Sequence, residues 1–233
     1  MGRKAQTKRS TAGQLEETIS AKSRRAQKVL HVLRTDFPGA RTALHHQNPF
    51  QLLIATILSA QCTDERVNMV TPGLFRKYPG PANFAAAHQT ELEEDIRSTG
   101  FFRMKARSII GCSTALVERH GGKVPQAMDE LVALPGVGRK TANVVLGQAF
   151  GIATGVVVDT HVHRLAQRLG FSTGRNPQEI EKDLMEVFPQ ENWIEVGTSL
   201  ILHGRKTCVA RGPRCSVCTI SELCPSAGLP GSR

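Results

Sequence analysis

Four cysteines toward the end of the chain fall as Cys208-x6-Cys215-x2-Cys218-x5-Cys224. Thiolates this close in sequence can enclose one metal centre with little protein around it. Zinc sites commonly offer two C-x2-C knuckles, or cysteine mixed with histidine, and only one such pair is present. A [4Fe–4S] cubane takes four cysteines and accepts unequal loops, so iron–sulfur is expected ahead of zinc. A disulfide framework would need an oxidising compartment, and the opening MGRKAQTKRSTAGQLEE carries no apolar leader.

A second group of residues sits where a turn meets a helix. Residues 128–134 predict a brief helix, Pro135-Gly136-Val137-Gly138 a tight reversal, and residues 139–150 a second helix with Ala142, Val145, Leu146 and Ala149 on its inner face. In such a helix-hairpin-helix the glycines free the backbone, and successive N–H groups at a positive helix end can face one phosphate. That grip is blind to base sequence.

Lys140 falls just inside the second helix, beside Arg139. The helix dipole, the neighbouring charge and partial burial would each disfavour its cation, which would make the amine a nucleophile. The competing readings are a solvated lysine or a point-charge contact to phosphate. Asp159 follows the extended stretch Gly155-Val156-Val157-Val158 and precedes a helix carrying Val162, Leu165 and Leu169. Its default role is N-cap, which is compatible with a rigid, ionised catalytic carboxylate.

The elements that must hold these groups are helical nearly everywhere. Ala26, Val29, Leu30, Leu33 and Phe37 line one helix face, and Asn48-Pro49 opens a helix that is apolar around most of its circumference. Thr63 caps a third helix, which Pro72-Gly73 should shorten or kink. Thr90-x-x-Glu93 reads as a capping box, and a longer helix carrying Ala106, Ile109, Ile110, Leu116 and Val117 is closed by Gly121-Gly122. Asn176-Pro177-x-Glu179 opens another, and Trp193, Val196, Gly197, Leu200 and Ile201 repeat at helical spacing up to Gly204. The expected fold class is all-α.

Composition fits a polyanion partner. The chain has 233 residues, with 30 Lys and Arg against 20 Asp and Glu for a formal charge of +10. No apolar run is long enough to span a membrane. Residues 1–14 read as a mobile basic end and 226–233 as a Gly-, Pro- and Ser-rich tail.

Together LPGVGRKTANVVL (134–146), VVVDTHVHRLAQRLG (156–170), LILHGRKTC (200–208) and the cysteine quartet resemble the endonuclease III family, over about residues 20–225. The resemblance implies a bifunctional DNA glycosylase and abasic-site lyase with a two-lobed helix-hairpin-helix fold. It implies a flexible arm over 1–19, a six-helix barrel over 42–152, and a [4Fe–4S] lobe built from 20–41 and 153–225, with a cleft between the lobes. Lys140 would attack the sugar C1′ and form a Schiff base, and Asp159 would assist. Cys208, Cys215, Cys218 and Cys224 would hold the cluster.

The same resemblance puts Gln61 and Phe101 in the gap left by an extruded base and Gly136, Val137, Gly138, Arg139 and Thr141 against a phosphate. His161 is a further DNA contact, while Asp64 has a structural role at a helix start. The substrate would be duplex DNA with oxidised or ring-saturated pyrimidines or abasic sites, which stack poorly and are cheaper to extrude. A cytoplasmic, nucleoid-associated monomer is expected. Departures from the family pattern are Phe101 where leucine is common, Cys62 where alanine is usual, and Pro72-Gly73 within a helix. They leave room for a pyrimidine-dimer or mismatch glycosylase, and a non-catalytic DNA-binding module is the reading from another class.

Overall fold

A computed structural model describes residues 17–229. Among them the regular elements are helical throughout: α1 (Ile19–Asp36), α2 (Pro49–Leu58), α3 (Asp64–Lys77), α4 (Pro81–Ala85), α5 (Gln89–Asp95), α6 (Phe102–His120), α7 (Met128–Val132), α8 (Arg139–Phe150), α9 (Thr160–Arg168), α10 (Pro177–Val187) and α11 (Trp193–Lys206). The all-α expectation is met. Ile19, assigned to the arm from sequence, already lies in α1, whose cap Thr18 accepts from Ala21 N at 3.2 Å. The rest of the arm over 1–16, and 230–233 of the tail, lie outside the described residues.

Local side-chain caps set the starts of α1, α2, α3, α9 and α10. Asn48 Oδ1 accepts from Gln51 N at 2.9 Å with Pro49 at the first helical position, and Asn176 Oδ1 accepts from Glu179 N at 2.9 Å. Two expectations need correction. Pro72 does not shorten α3, because Val67 and Leu74 on either side of it are buried in one core and hold the helix through the missing bond. Thr90 does not cap: α5 starts two residues earlier, after His88, and Glu93 accepts from the Gln89 amide at 2.7 Å instead.

The buried apolar side chains form two sets. One gathers Leu52, Ile54, Phe84, Leu92, Ile109 and Val145, from α2 through α8. The other joins Ala26, Leu30 and Leu33 of α1 to Val162, Leu165, Leu184 and Leu200 from the far end of the chain. Arg25 reinforces this closure, donating to Leu169 O at 2.7 Å and Leu223 O at 3.1 Å, while Arg34 pairs with Glu195 at 2.7 Å. At Gly197 and Gly204, α11 leaves no room for a side chain against Val157 and His161. A Cβ at Gly204 would lie 2.9 Å from that of His161.

Candidate active site

The hairpin between α7 and α8 is packed onto α6. Gly136 has φ +77°, and a Cβ there would meet Ser108 Cβ at 2.6 Å, so this glycine is required twice over. Gly138 differs: it is exposed and extended, and nothing in the protein lies within 4 Å of where its Cβ would be. Val137 turns its side chain into the core, with its N–H on Leu134 O at 3.1 Å. Lys140 follows on the first turn of α8, and it is exposed rather than partly buried.

Asp159 caps α9 with a single oxygen. Its Oδ1 accepts from both His161 N and Val162 N at 2.8 Å, so Oδ2 is not used by the cap.

Lys140 and Asp159 line one cleft of about 120 Å³ between the two apolar cores, together with Arg41, Asp64, Asn143 and Arg205. Asp64 and Arg205 bridge it, Oδ2 to NH1 at 2.7 Å, joining the first turn of α3 to the end of α11. Deeper in, Glu181 accepts from Arg139 at 2.9 and 3.0 Å and from Asn143 Nδ2 at 2.8 Å, and Asn143 accepts from Thr154 Oγ1 at 2.8 Å. The Glu181 carboxylate holds the Arg139 guanidinium above its ordinary pKa. A Cβ at Gly155 would fall 1.9 Å from Glu181 Oε1, so only glycine lets the chain pass this network.

Sequence reasoning missed Arg41, Asn143, Glu181 and the role of Arg205. Asn143, Glu181 and Arg205 are ordinary residues until their partners are known, and Arg41 is marked by its place in the cleft lining. Asn143 and Glu181 belong to apolar-faced helices, and burial of a polar residue on such a face is the one signal that could have marked them.

The remaining expected DNA contacts divide. Gln61 and Phe101 are exposed and sit on left-handed backbone, φ 51° and 47°, flanking one cavity with Lys105 and Gly136. Thr141 is half-buried beside Lys140. Arg139 faces Glu181, and His161 Nδ1 faces Arg164 NH2 at 3.2 Å and packs on Gly204.

Cys208, Cys215, Cys218 and Cys224 all line a second cavity, beside Arg168 and His203. Among the described residues no three His, Cys, Asp or Glu side chains converge tightly enough for a single ion. The four thiols that border this one cavity are of the donor type that an iron–sulfur cluster takes. Burial first, and then the charges of the other three cysteines, push the Cys218 thiol up, so four thiolates here need compensating positive charge. Arg168 supplies such charge, its NH1 donating to Cys208 Sγ at 3.2 Å, and His203 Nε2 lies 3.5 Å from Cys218 Sγ. Burial holds His203 below its ordinary pKa.

Residues 54–190 match the family model described as HhH-GPD superfamily base excision DNA repair protein. Endonuclease III of Synechocystis sp. is 54% identical over 90% of this chain and 95% of its own length. The chain belongs to the endonuclease III family. Endonuclease III of Escherichia coli K12 is 44% identical, over 84% of this chain and 92% of its own. A trapped endonuclease III–DNA covalent intermediate superimposes with a TM-score of 0.83 at 45% identity, covering 88% of this chain and 96% of that one. A thermostable thymine-DNA glycosylase, at 23% identity and TM-score 0.80, shares the fold. As an endonuclease III family member the protein is a bifunctional DNA glycosylase and abasic-site lyase of base excision repair, and it binds DNA. Among the described residues no helix is long and apolar enough to cross a membrane.

Proposed function

We propose that this enzyme removes oxidised or ring-saturated pyrimidines from duplex DNA, with Lys140 as nucleophile and Asp159 as the assisting carboxylate. The observation that carries the assignment is that these two side chains, from elements of different apolar cores, line one cleft. A lesion that has lost aromaticity stacks poorly, so little energy is needed to turn it out of the helix.

In the cleft the Lys140 amine attacks C1′ as the C1′–N bond to the base breaks. The sugar ring then opens to a Schiff base, and loss of the C2′ proton expels the 3′ phosphate. Asp159 opposes the positive charge that builds on the sugar, with the oxygen its helix cap leaves unused, and serves in proton transfer. The exposed backbone at Gly138 and the first turn of α8 face a neighbouring phosphate. Arg139 holds α8 against Glu181 and is a positioning residue in this reading.

The four cysteines would hold a [4Fe–4S] cluster, whose contribution is to cross-link the 208–224 loops. Arg164 donates to Gly204 O and Cys208 O, both at 2.9 Å, and Arg168 to Val209 O at 2.8 Å. The helix that Asp159 caps therefore carries the first of these loops, and an ordered loop presents exposed Arg211, next to Lys206 at the end of α11, to phosphates at a lower entropic cost. The lobes divide as 42–152 on one side and 20–41 with 153–225 on the other, and the enzyme acts as a monomer on nucleoid DNA.

The test is borohydride trapping on a duplex with one thymine glycol. A covalent adduct that forms with the unmodified protein and is lost in Lys140→Gln is the expected result. An adduct with an abasic duplex but none with thymine glycol would overturn the lesion class and leave the lysine chemistry standing.

A further inference from the structure

Gln61 and Phe101, the two side chains read as entering the duplex, occupy separate loops, yet both share a backbone conformation that non-glycine residues rarely adopt. Such strain persists only where the surroundings over-determine it. What lies behind both loops is Lys105, on the first turn of α6 and 4 % exposed. Its Nζ donates to Leu58 O at 2.7 Å and to Thr99 O at 2.8 Å.

Both acceptors are strategic. Leu58 is the last residue of α2, where a carbonyl has no partner within its helix, and the chain turns from there to Gln61. Thr99 ends the 3-10 turn Arg97–Thr99, two residues ahead of Phe101. One ammonium thus ties the base of one loop to the base of the other. A methionine would fill the same space without the cost of burying a cation. Lys105 also lines the cavity that Gln61 and Phe101 flank, so the tie lies directly beneath the space between them.

We propose that Lys105 is a positioning residue for nucleotide extrusion, locking the two loops together so that Gln61 and Phe101 meet DNA as a preset pair. The proposal rests on the reading that those two side chains enter the duplex. Pre-set loops avoid an ordering cost at the moment of binding, when the enzyme must also supply the energy of unstacking.

The test uses the full-length protein and compares base release from a thymine glycol duplex, under single-turnover conditions, with strand cleavage at an abasic site in a single-stranded oligonucleotide, which needs no extrusion. Lys105→Met is expected to slow the duplex reaction about tenfold, the worth of one charge-assisted hydrogen bond, and to leave the single-strand reaction unchanged. Added to the double variant Gln61→Ala, Phe101→Ala, it is expected to slow the duplex reaction no further, because it acts through those residues. Equal losses on both substrates, or a further loss in the double variant, would reduce Lys105 to general stability and overturn the proposal. If the double variant alone keeps the full duplex rate, the insertion reading falls and the proposal with it; if only Lys105→Met keeps it, the proposal alone falls. Should the methionine variant not fold, Lys105→Gln, which keeps a donor without the charge, is put through the same comparison. Should thymine glycol not be a substrate, the abasic site in duplex form replaces it.

Discussion

Arg139 and Glu181 form a two-bonded ion pair, 2.9 and 3.0 Å, that joins the start of the hairpin's second helix to α10. Glu181 is buried while Arg139 is half exposed, so the arginine can rehydrate if the pair is broken, but Asn143, also buried, cannot. Glu181→Leu is therefore expected to cost about 2 kcal/mol through the orphaned amide, and Glu181→Gln about half of that. Urea unfolding monitored by helical circular dichroism measures both.

The two hairpin glycines should respond oppositely. Gly136→Ala adds a Cβ 2.6 Å from that of Ser108, at φ +77°, and is expected to destabilise the fold by about 2 kcal/mol. Gly138→Ala meets nothing in the protein, so its stability should stay within about 0.5 kcal/mol of the parent. If a phosphate approaches that backbone, only this second variant weakens DNA binding while leaving the melting temperature alone, as titration and thermal unfolding of the pair would reveal.

Asp159 combines cap and chemistry, and two substitutions separate them. Asparagine preserves capping and is expected to leave stability nearly unchanged while lowering base release at least about a hundredfold. Alanine loses the bonds to His161 N and Val162 N and should cost a further ~1 kcal/mol of stability. An Asp159→Asn enzyme of full activity would remove the carboxylate from the mechanism.

Burial pushes the Lys105 ammonium below its ordinary pKa, against a smaller opposing influence from Cys62. Between the lowered folded value and the unfolded value near 10.5, the unfolded chain binds more protons, so this group's contribution to stability rises with pH across that window. Below the window both states are charged and the burial cost is borne in full. The difference in unfolding free energy between the parent and Lys105→Met should thus climb as pH rises through that window toward 10.5 and stay flat below it.

Cys218→Ser should lose iron and acid-labile sulfide, and lower both melting temperature and DNA affinity, since one set of loops carries the cysteines and the cations. A folded, iron-free variant that binds DNA like the parent would separate the two roles.

What was legible from sequence was local. Asn48-Pro49, Thr63, Asp159 and Asn176 sit within a few residues of the amides they cap, so pattern alone locates them. The hairpin was legible for the same reason. Pro72 misled because packing at Val67 and Leu74 outweighs one missing hydrogen bond. The network residues were invisible: Lys105 reaches Leu58, Glu181 reaches Arg139, and Asp64 reaches Arg205, pairs separated by 47, 42 and 141 positions. Only the tertiary fold says which charge finds which partner. Arg139 shows the consequence, since its neighbours suggested a phosphate and its geometry supplies a carboxylate.

The second apolar core has a consequence for synthesis on the ribosome. Ala26, Leu30 and Leu33 emerge first, yet the residues that cover them, from Val156 onward, are translated roughly 120 positions later, which takes several seconds or more at ribosomal elongation rates of about 5–20 residues per second. During that interval the intervening segment can collapse around its own core, whereas α1 must wait as an amphipathic helix with an uncovered stripe. The nascent chain should therefore engage holdase chaperones through its first helix, and a stalled or truncated transcript would yield a product that is half folded and prone to aggregate.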